Sequence, residues 1–419
     1  MQRRELFKYL SFFSLAGGAV SLSLPSAANK LALTPPLAPE PFGSAPPVKR
    51  DIFKELGIRT FINAAGTYTM MTGSLMHDYV VETIQAASKE FCMLDEVQDK
   101  VGEKIATLVH AEAAVVTSGA FSAMTLGLAG VLTGMDQKKV EQLPHLEGTG
   151  MRSEVIVQKA HEIGYNHALT NTGCKLIVVE TREEAEAAIS DKTALLHFLN
   201  IQADKGKISH EEWIALGRKH GIPTSIDIAA DVPPVSNLWK FNDMGFSFVV
   251  LSGGKAMRGP QSAGLLMGKK EIIAAARLSM PPRGSTIGRG FKVNKEEILG
   301  LYVAIDNFVS RDHDKEWKEW EAAVSVIQQA VKPIKGVTTT IKVPTLGNVT
   351  PTLHIDWDPQ QLKFTGKALQ EKLRNGNPSI EVAPDVQDGH ISITVWMLKP
   401  GEEKIVAARL REEMSRAAV

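Results

Sequence analysis

Phe248-Val249-Val250-Leu251-Ser252-Gly253-Gly254-Lys255 is the stretch on which the reading of this chain turns. Four consecutive apolar residues, two of them β-branched, predict a short strand buried on both faces. Serine and two glycines end it, and a lysine follows at its carboxyl end. Where strands alternate with helices, that edge of the sheet is where ligands bind. Read plainly, two glycines and a lysine make an exposed turn. Read functionally, a lysine held in a poorly solvated crevice has a lowered pKa and becomes a nucleophile able to form a Schiff base. Ser252, three residues before it, can hydrogen-bond a phosphate.

Outward from this stretch, strand and helix periods alternate. Ala113-Ala114-Val115-Val116-Thr117 predicts a strand that runs through Ser118-Gly119-Ala120 into a helix over 121–132. Further strands are expected at 154–158, 175–179, 193–199, 223–227 and 262–267. Helices are expected at 78–91, 96–109, 182–189 and 210–220. Apolar strands separated by helices imply an α/β fold with a mainly parallel sheet covered on both faces. From about 296 the register changes. A long helix over 296–331 leads to strands at 335–343, 348–357, 379–382 and 390–395, with helices at 365–374 and 402–416. The expected organisation is a large domain over 50–300 and a smaller α/β domain over 301–419, with residues 50–75 bridging the two.

Two other strand ends carry chemistry. Ser118-Gly119-Ala120 opens a helix, where free N–H groups and the helix dipole attract an anion and glycine lets the backbone come close. Many strand–helix turns use Ser-Gly as plain capping. Pro223-Thr224-Ser225-Ile226-Asp227 ends an apolar strand on a carboxylate, whose burial costs several kcal/mol unless it is paired. It can be a turn carboxylate, or the partner of a protonated pyridine nitrogen. A phosphate turn, then a strand-end aspartate, then a lysine further along the chain is the order expected of a fold-type-I pyridoxal-phosphate enzyme. No G-x-G-x-x-G follows the first strand, and there is no Walker motif, which disfavours a dinucleotide fold. No H-E-x-x-H and no paired cysteines suggest a metal.

Several motifs also resemble the selenocysteine synthase superfamily, which includes L-seryl-tRNA selenium transferase and D-glucosaminate-6-phosphate ammonia lyase. They are Ile58 to Thr67, Gly73-Ser74-Leu75-Met76, Leu94 to Gln98, Val116 to Ala120, Ile287 to Val293 and, most sharply, Ser252-Gly253-Gly254-Lys255-Ala256-Met257-Arg258-Gly259-Pro260-Gln261. The resemblance implies pyridoxal phosphate as cofactor, Lys255 as its lysine and Asp227 as its pyridinium partner. It places Ser118, Gly119, Ala120 and Ser252 at the phosphate and His161 as a ring stacked on the cofactor. A lone histidine after a strand is also a common core residue. Arg258 and Arg289 are candidates for a substrate carboxylate or phosphate, because guanidinium binds such groups bidentately. The implied activity is an ammonia-lyase-type β-elimination on an amino acid or amino-sugar acid. A selenium-transferase-like or aminotransferase reaction, and a ligand-binding protein without turnover, stand as alternatives. By analogy a homodimer or larger homo-oligomer is expected.

The chain's 47 basic and 47 acidic side chains cancel. That gives no support for a nucleic-acid partner such as a charged tRNA. The balance joins unlike pieces. Met1-Gln2-Arg3-Arg4-Glu5-Leu6-Phe7-Lys8 resembles a twin-arginine export signal, followed by an apolar stretch and the small residues Ser26-Ala27-Ala28. Residues 1–28 are expected to be a signal peptide and 29–49, with six prolines from Pro35 to Pro47, an extended linker. The destination would be the periplasm, reached folded. Without residues 1–28 the body is slightly acidic. An oxidising destination would permit a disulfide between Cys92 and Cys174, while two free thiols are the plainer reading.

Overall fold

The structure is a computed structural model and describes residues 50–416. The expected export signal (1–28) and linker (29–49) lie outside the described residues. Of the described residues, 50–58 belong to one unit and 59–416 to another. The described part of the first holds one short helix, Ile52–Glu55, begun by Asp51, whose carboxylate accepts the Lys54 N–H at 3.1 Å. All that follows concerns the second.

Its strands are β1 (Ile62–Ala64), β2 (Ala113–Thr117), β3 (Glu154–Gln158), β4 (Lys175–Val179), β5 (Thr193–Leu199), β6 (Thr224–Asp227), β7 (Phe248–Ser252), β8 (Gly264–Gly268), β9 (Val337–Lys342), β10 (Thr352–Trp357), β11 (Ile380–Val382) and β12 (His390–Thr394). Seven make the central sheet, in the order β2-β8-β7-β6-β5-β3-β4. The sheet is parallel except for β8, which runs antiparallel to both β2 and β7. β7 and β8 are joined by a compact turn over 253–263 with no crossover helix, and only antiparallel neighbours can be joined that way.

Period-2 alternation sends successive side chains to opposite faces, and here both faces are apolar. Val116, Leu196, Val249 and Leu251 enter one buried cluster. Val115, Leu195, Phe248 and Val250 enter the other. This is why these strands read as unbroken apolar runs. The three-stranded antiparallel sheet β12-β10-β9 is different. Along β10, Leu353, Ile355 and Trp357 are buried while Thr352, His354 and Asp356 are only partly so. Its buried face packs on Val324, Ile327 and Val331 of the helix His313–Val331 and on Val406, Leu410 and Met414 of the helix Glu402–Arg416. β1 pairs in parallel with β11, which fastens the segment after Arg59 to the C-terminal third.

The single helix expected over 296–331 is two, Lys295–Ser310 and His313–Val331. Asp312 takes an extended conformation and its carboxylate accepts the Lys315 N–H at 2.9 Å, so a new helix starts where the charged run concealed a break. The helices Asn237–Met244 and Lys270–Leu278 were not expected from the sequence. Cys92 is exposed, Cys174 is buried, and both thiols are free. Burial pushes the Cys174 thiol up to about 11, which keeps it protonated and inert.

Candidate active site

Three strands of the sheet end on its carboxyl edge, β6 and the adjacent β7, and β2 beyond the antiparallel β8. β2 stops at Thr117, and Ser118 and Gly119 turn the chain into the helix Ala120–Thr133. Gly119 has φ +90, a conformation glycine adopts without strain. No side chain caps this helix. The hydroxyls fold inward: Thr117 Oγ1 and Ser122 Oγ donate to the Gly119 carbonyl at 3.0 and 2.9 Å, and Ser118 Oγ donates to Ser122 Oγ at 3.2 Å. The first-turn N–H groups are thereby left for an anion. Gly264, the first residue of β8, pairs with Thr117, and a methyl group there would overlap the Gly119 backbone. Gly264→Val should therefore push the turn outward and weaken pyridoxal-phosphate binding about 10-fold or more, a loss of one phosphate hydrogen bond in scale. Fluorescence titration of the apoprotein measures it.

Asp227 ends β6, paired with Leu199 of β5 on one side and Val250 of β7 on the other. It is 5 % exposed. Its Oδ1 accepts the Ala229 N–H at 2.8 Å. Burial pushes its carboxyl above the usual range, against the Ala229 hydrogen bond and the nearby Lys255 charge. A carboxylate with one backbone donor has acceptor capacity to spare, which a protonated ring nitrogen would fill.

Lys255 follows β7 in a turn that closes on itself. Gly253 donates to the Ala263 carbonyl at 2.8 Å, Gly259 to the Gly253 carbonyl at 3.0 Å and Arg258 to the Lys255 carbonyl at 2.9 Å. Ser74 Oγ donates to the Gly254 carbonyl at 2.9 Å, and a side chain at Gly254 would overlap the Gln261 backbone. Gly254 is thus required by close packing of the turn. Burial pushes the Lys255 amine below its usual value, opposed by Asp227 and Asp231. The pair Asp227 and Lys255 is drawn toward neutrality by burial and toward charge by mutual attraction. Burial is the larger effect at both, and it shifts Lys255 toward its neutral, nucleophilic form.

The other expected residues divide. Ser252 is the half-buried last residue of β7, on the same edge. Arg258 has φ +53, unusual for a residue with a side chain, and its Nη2 donates to the Trp396 carbonyl at 2.6 Å. Burial lowers its pKa, opposed by the charge of Glu316. His161 does not join the group. It is 0 % exposed, its ring edge lies on Phe198 with centroids 4.4 Å apart, and its Nδ1 accepts the Leu199 N–H at 3.3 Å. Burial lowers its pKa to about 4, so the ring is neutral, and it has no open face to lay on a cofactor. Arg289 lies exposed in the turn Ile287–Gly290, without a side-chain partner among the described residues.

Two buried polar residues on this edge of the sheet were not foreseen from the sequence. Asn200 follows β5, and its Oδ1 meets His210 Nε2 at 2.9 Å. Asp231 follows β6 by four residues and is 2 % exposed. A polar residue just beyond a strand's carboxyl end was the available signal for both.

An anion-binding helix start, a buried carboxylate with spare acceptor capacity and a depressed amine fit pyridoxal phosphate part for part: phosphate, ring nitrogen and aldehyde. Residues 75–289, about half of the chain, match the aminotransferase class-V family, and the chain belongs to that family. It is similar to D-glucosaminate-6-phosphate ammonia lyase of Salmonella typhimurium, with 26 % identity over 88 % of this chain and 99 % of that protein. It is also similar to a Streptomyces 5'-C-glycyluridine monooxygenase-decarboxylase, with 25 % identity over 86 % and 91 %. With the L-seryl-tRNA(Sec) selenium transferase of Serratia proteamaculans it shares 26 % identity over 48 % and 45 %. Among solved structures, D-glucosaminate-6-phosphate ammonia-lyase superposes with a TM-score of 0.77 at 25 % identity, over 88 % of this chain and 100 % of that one. The protein is a fold-type-I, pyridoxal-phosphate-dependent enzyme related to that lyase and to selenocysteine synthase.

Proposed function

We propose that the enzyme eliminates ammonia from an amino acid or amino-sugar acid, with Lys255 as both cofactor lysine and base. The observation that carries this is Lys255 and Asp227 at adjacent strand ends, in a chain that aligns over 88 % of its length with an ammonia lyase. When bound, pyridoxal phosphate supplies an electron sink conjugated to the substrate nitrogen. Ser118, Gly119, Ala120 and Ser252 hold its phosphate, and the Asp227 carboxylate keeps its ring nitrogen protonated. Once the substrate amine takes its place, the Lys255 amine accepts the α-proton, helped by its lowered pKa. A hydroxyl on the β-carbon then leaves with its bonding electrons, as water on taking the proton back from Lys255, and hydrolysis of the released enamine gives a 2-keto acid and ammonia. Arg258, with its free guanidinium donors, holds a substrate carboxylate or phosphate; Arg289 is the second candidate. In this reading residues 50–300 form the cofactor domain and 301–419 the smaller one, and the active protein is a homo-oligomer.

Residues 1–28 are proposed to send the folded holoenzyme to the periplasm. Fractionation of a chain carrying Arg3→Lys and Arg4→Lys tests this, since cytoplasmic retention is expected. The catalytic proposal is tested by incubating the holoenzyme with amino acids and amino-sugar acids and assaying ammonia and keto acid. Release of both in equal amounts supports it. Transfer of the amino group, carbon dioxide release with oxygen uptake, or a spectral change without product would each replace it with a transferase, a decarboxylase or a ligand-binding protein.

A further inference from the structure

Asp231 has no part in the chemistry above, yet its carboxylate is buried and is the second whose charge acts on Lys255. Its surroundings are specific. Oδ1 accepts the Gly347 N–H at 3.1 Å, a contact between residues 116 apart in sequence. The adjacent Asn348 N–H donates to the Ala230 carbonyl at 2.6 Å. These two hydrogen bonds lay the loop between β9 and β10 across the turn that follows β6. The loop is held in a demanding shape. Asn348 has φ +45, and a methyl group on Gly347 would press into the Ile201 side chain. On its other side Asp231 meets the Asn200 amide, whose oxygen is engaged by His210. Its own carbonyl accepts Asn237 Nδ2 at 2.7 Å. The charged groups that act on its carboxylate are Asp227 and Lys255. Burial pushes that carboxyl up to about 6, so it is ionised at neutral pH and protonated in mild acid.

We propose that Asp231 is a positioning residue of the Lys255 centre: it pins the 344–350 loop over the carboxyl end of β6 and supplies a second negative charge facing the Lys255 nitrogen. One carboxylate thereby joins the C-terminal third of the chain to the cofactor edge of the central sheet. Below pH 6 both effects weaken together, because a protonated carboxyl is a poorer acceptor and carries no charge.

The inference rests on Lys255 being the cofactor lysine, and the test separates the two. Wild type, Asp231→Asn and Asp231→Ala are loaded with pyridoxal phosphate, and the absorbance of the lysine-bound cofactor is titrated with pH. Amide exchange at Gly347 and Asn348 is measured in parallel. Asparagine keeps an oxygen for the Gly347 N–H but not the charge; alanine keeps neither. Loss of the negative charge disfavours the protonated nitrogen, so the titration midpoint should fall by about one pH unit in both variants. Exchange should quicken about 10-fold in Asp231→Ala and stay near wild type in Asp231→Asn. An Asp231→Asn titration that overlies wild type, or unchanged exchange in Asp231→Ala, overturns the proposal. Wild type that acquires no lysine-bound absorbance overturns the site reading beneath it.

Discussion

Lys255→Ala is expected to lose the visible absorbance of lysine-bound pyridoxal phosphate and to lower turnover about 10⁴-fold, because one side chain serves as both attachment point and base. The fold should survive. Lys255 is half-buried on a turn whose hydrogen bonds are made by the Gly253, Gly259 and Arg258 backbone and by Ser74, none of which needs the amine. Thermal unfolding of the apoprotein should move little, since removing a desolvated amine relieves a burial cost as well as an attraction to Asp227 and Asp231. Retention of both absorbance and activity would move the chemistry to another residue.

Asp227→Asn is the second large effect, and it separates charge from shape. Asparagine can still accept the Ala229 N–H. It cannot hold a proton on a ring nitrogen opposite, so the electron sink is weakened while the covalent link to Lys255 persists. Absorbance of the loaded protein should therefore remain, and kcat should fall about 10²–10³-fold, the usual scale for removing one preorganised electrostatic partner. The pH dependence has a defined sign. Burial raises the Asp227 carboxyl in the free protein. Relative to the unfolded chain, the native apoprotein binds this proton more tightly, so its contribution to stability is present in acid and is lost as pH rises through the raised value. In Asp227→Asn that part of the acid-side stabilisation should be absent, which thermal melts across pH will show.

The parts of the site legible in sequence are those where residue type and strand edge agree. Asp227 was legible because a carboxylate ends an otherwise apolar strand, and Lys255 because two glycines and a lysine follow one. The alternation of apolar strands with helices was enough for the sheet, including its covering on both faces. The rest depended on packing and capping contacts that the local pattern does not announce. Asp231 gains its surroundings from Gly347, and nothing near either residue announces the pairing. His161 reads the same whether a strand-end ring faces a crevice or Phe198 behind it, and packing put it against Phe198. The break between Ser310 and His313 lies in a charged run that an exposed helix would tolerate, and the Asp312 cap decides it.

Borohydride reduction of the holoenzyme, followed by peptide mass mapping, tests the central claim most directly. Reduction makes the lysine–cofactor bond permanent, so the modified residue can be read from the fragment masses. A single pyridoxyl group, on Lys255, is expected. A pyridoxyl group on any other lysine, or none in protein freshly loaded with pyridoxal phosphate, would contradict it.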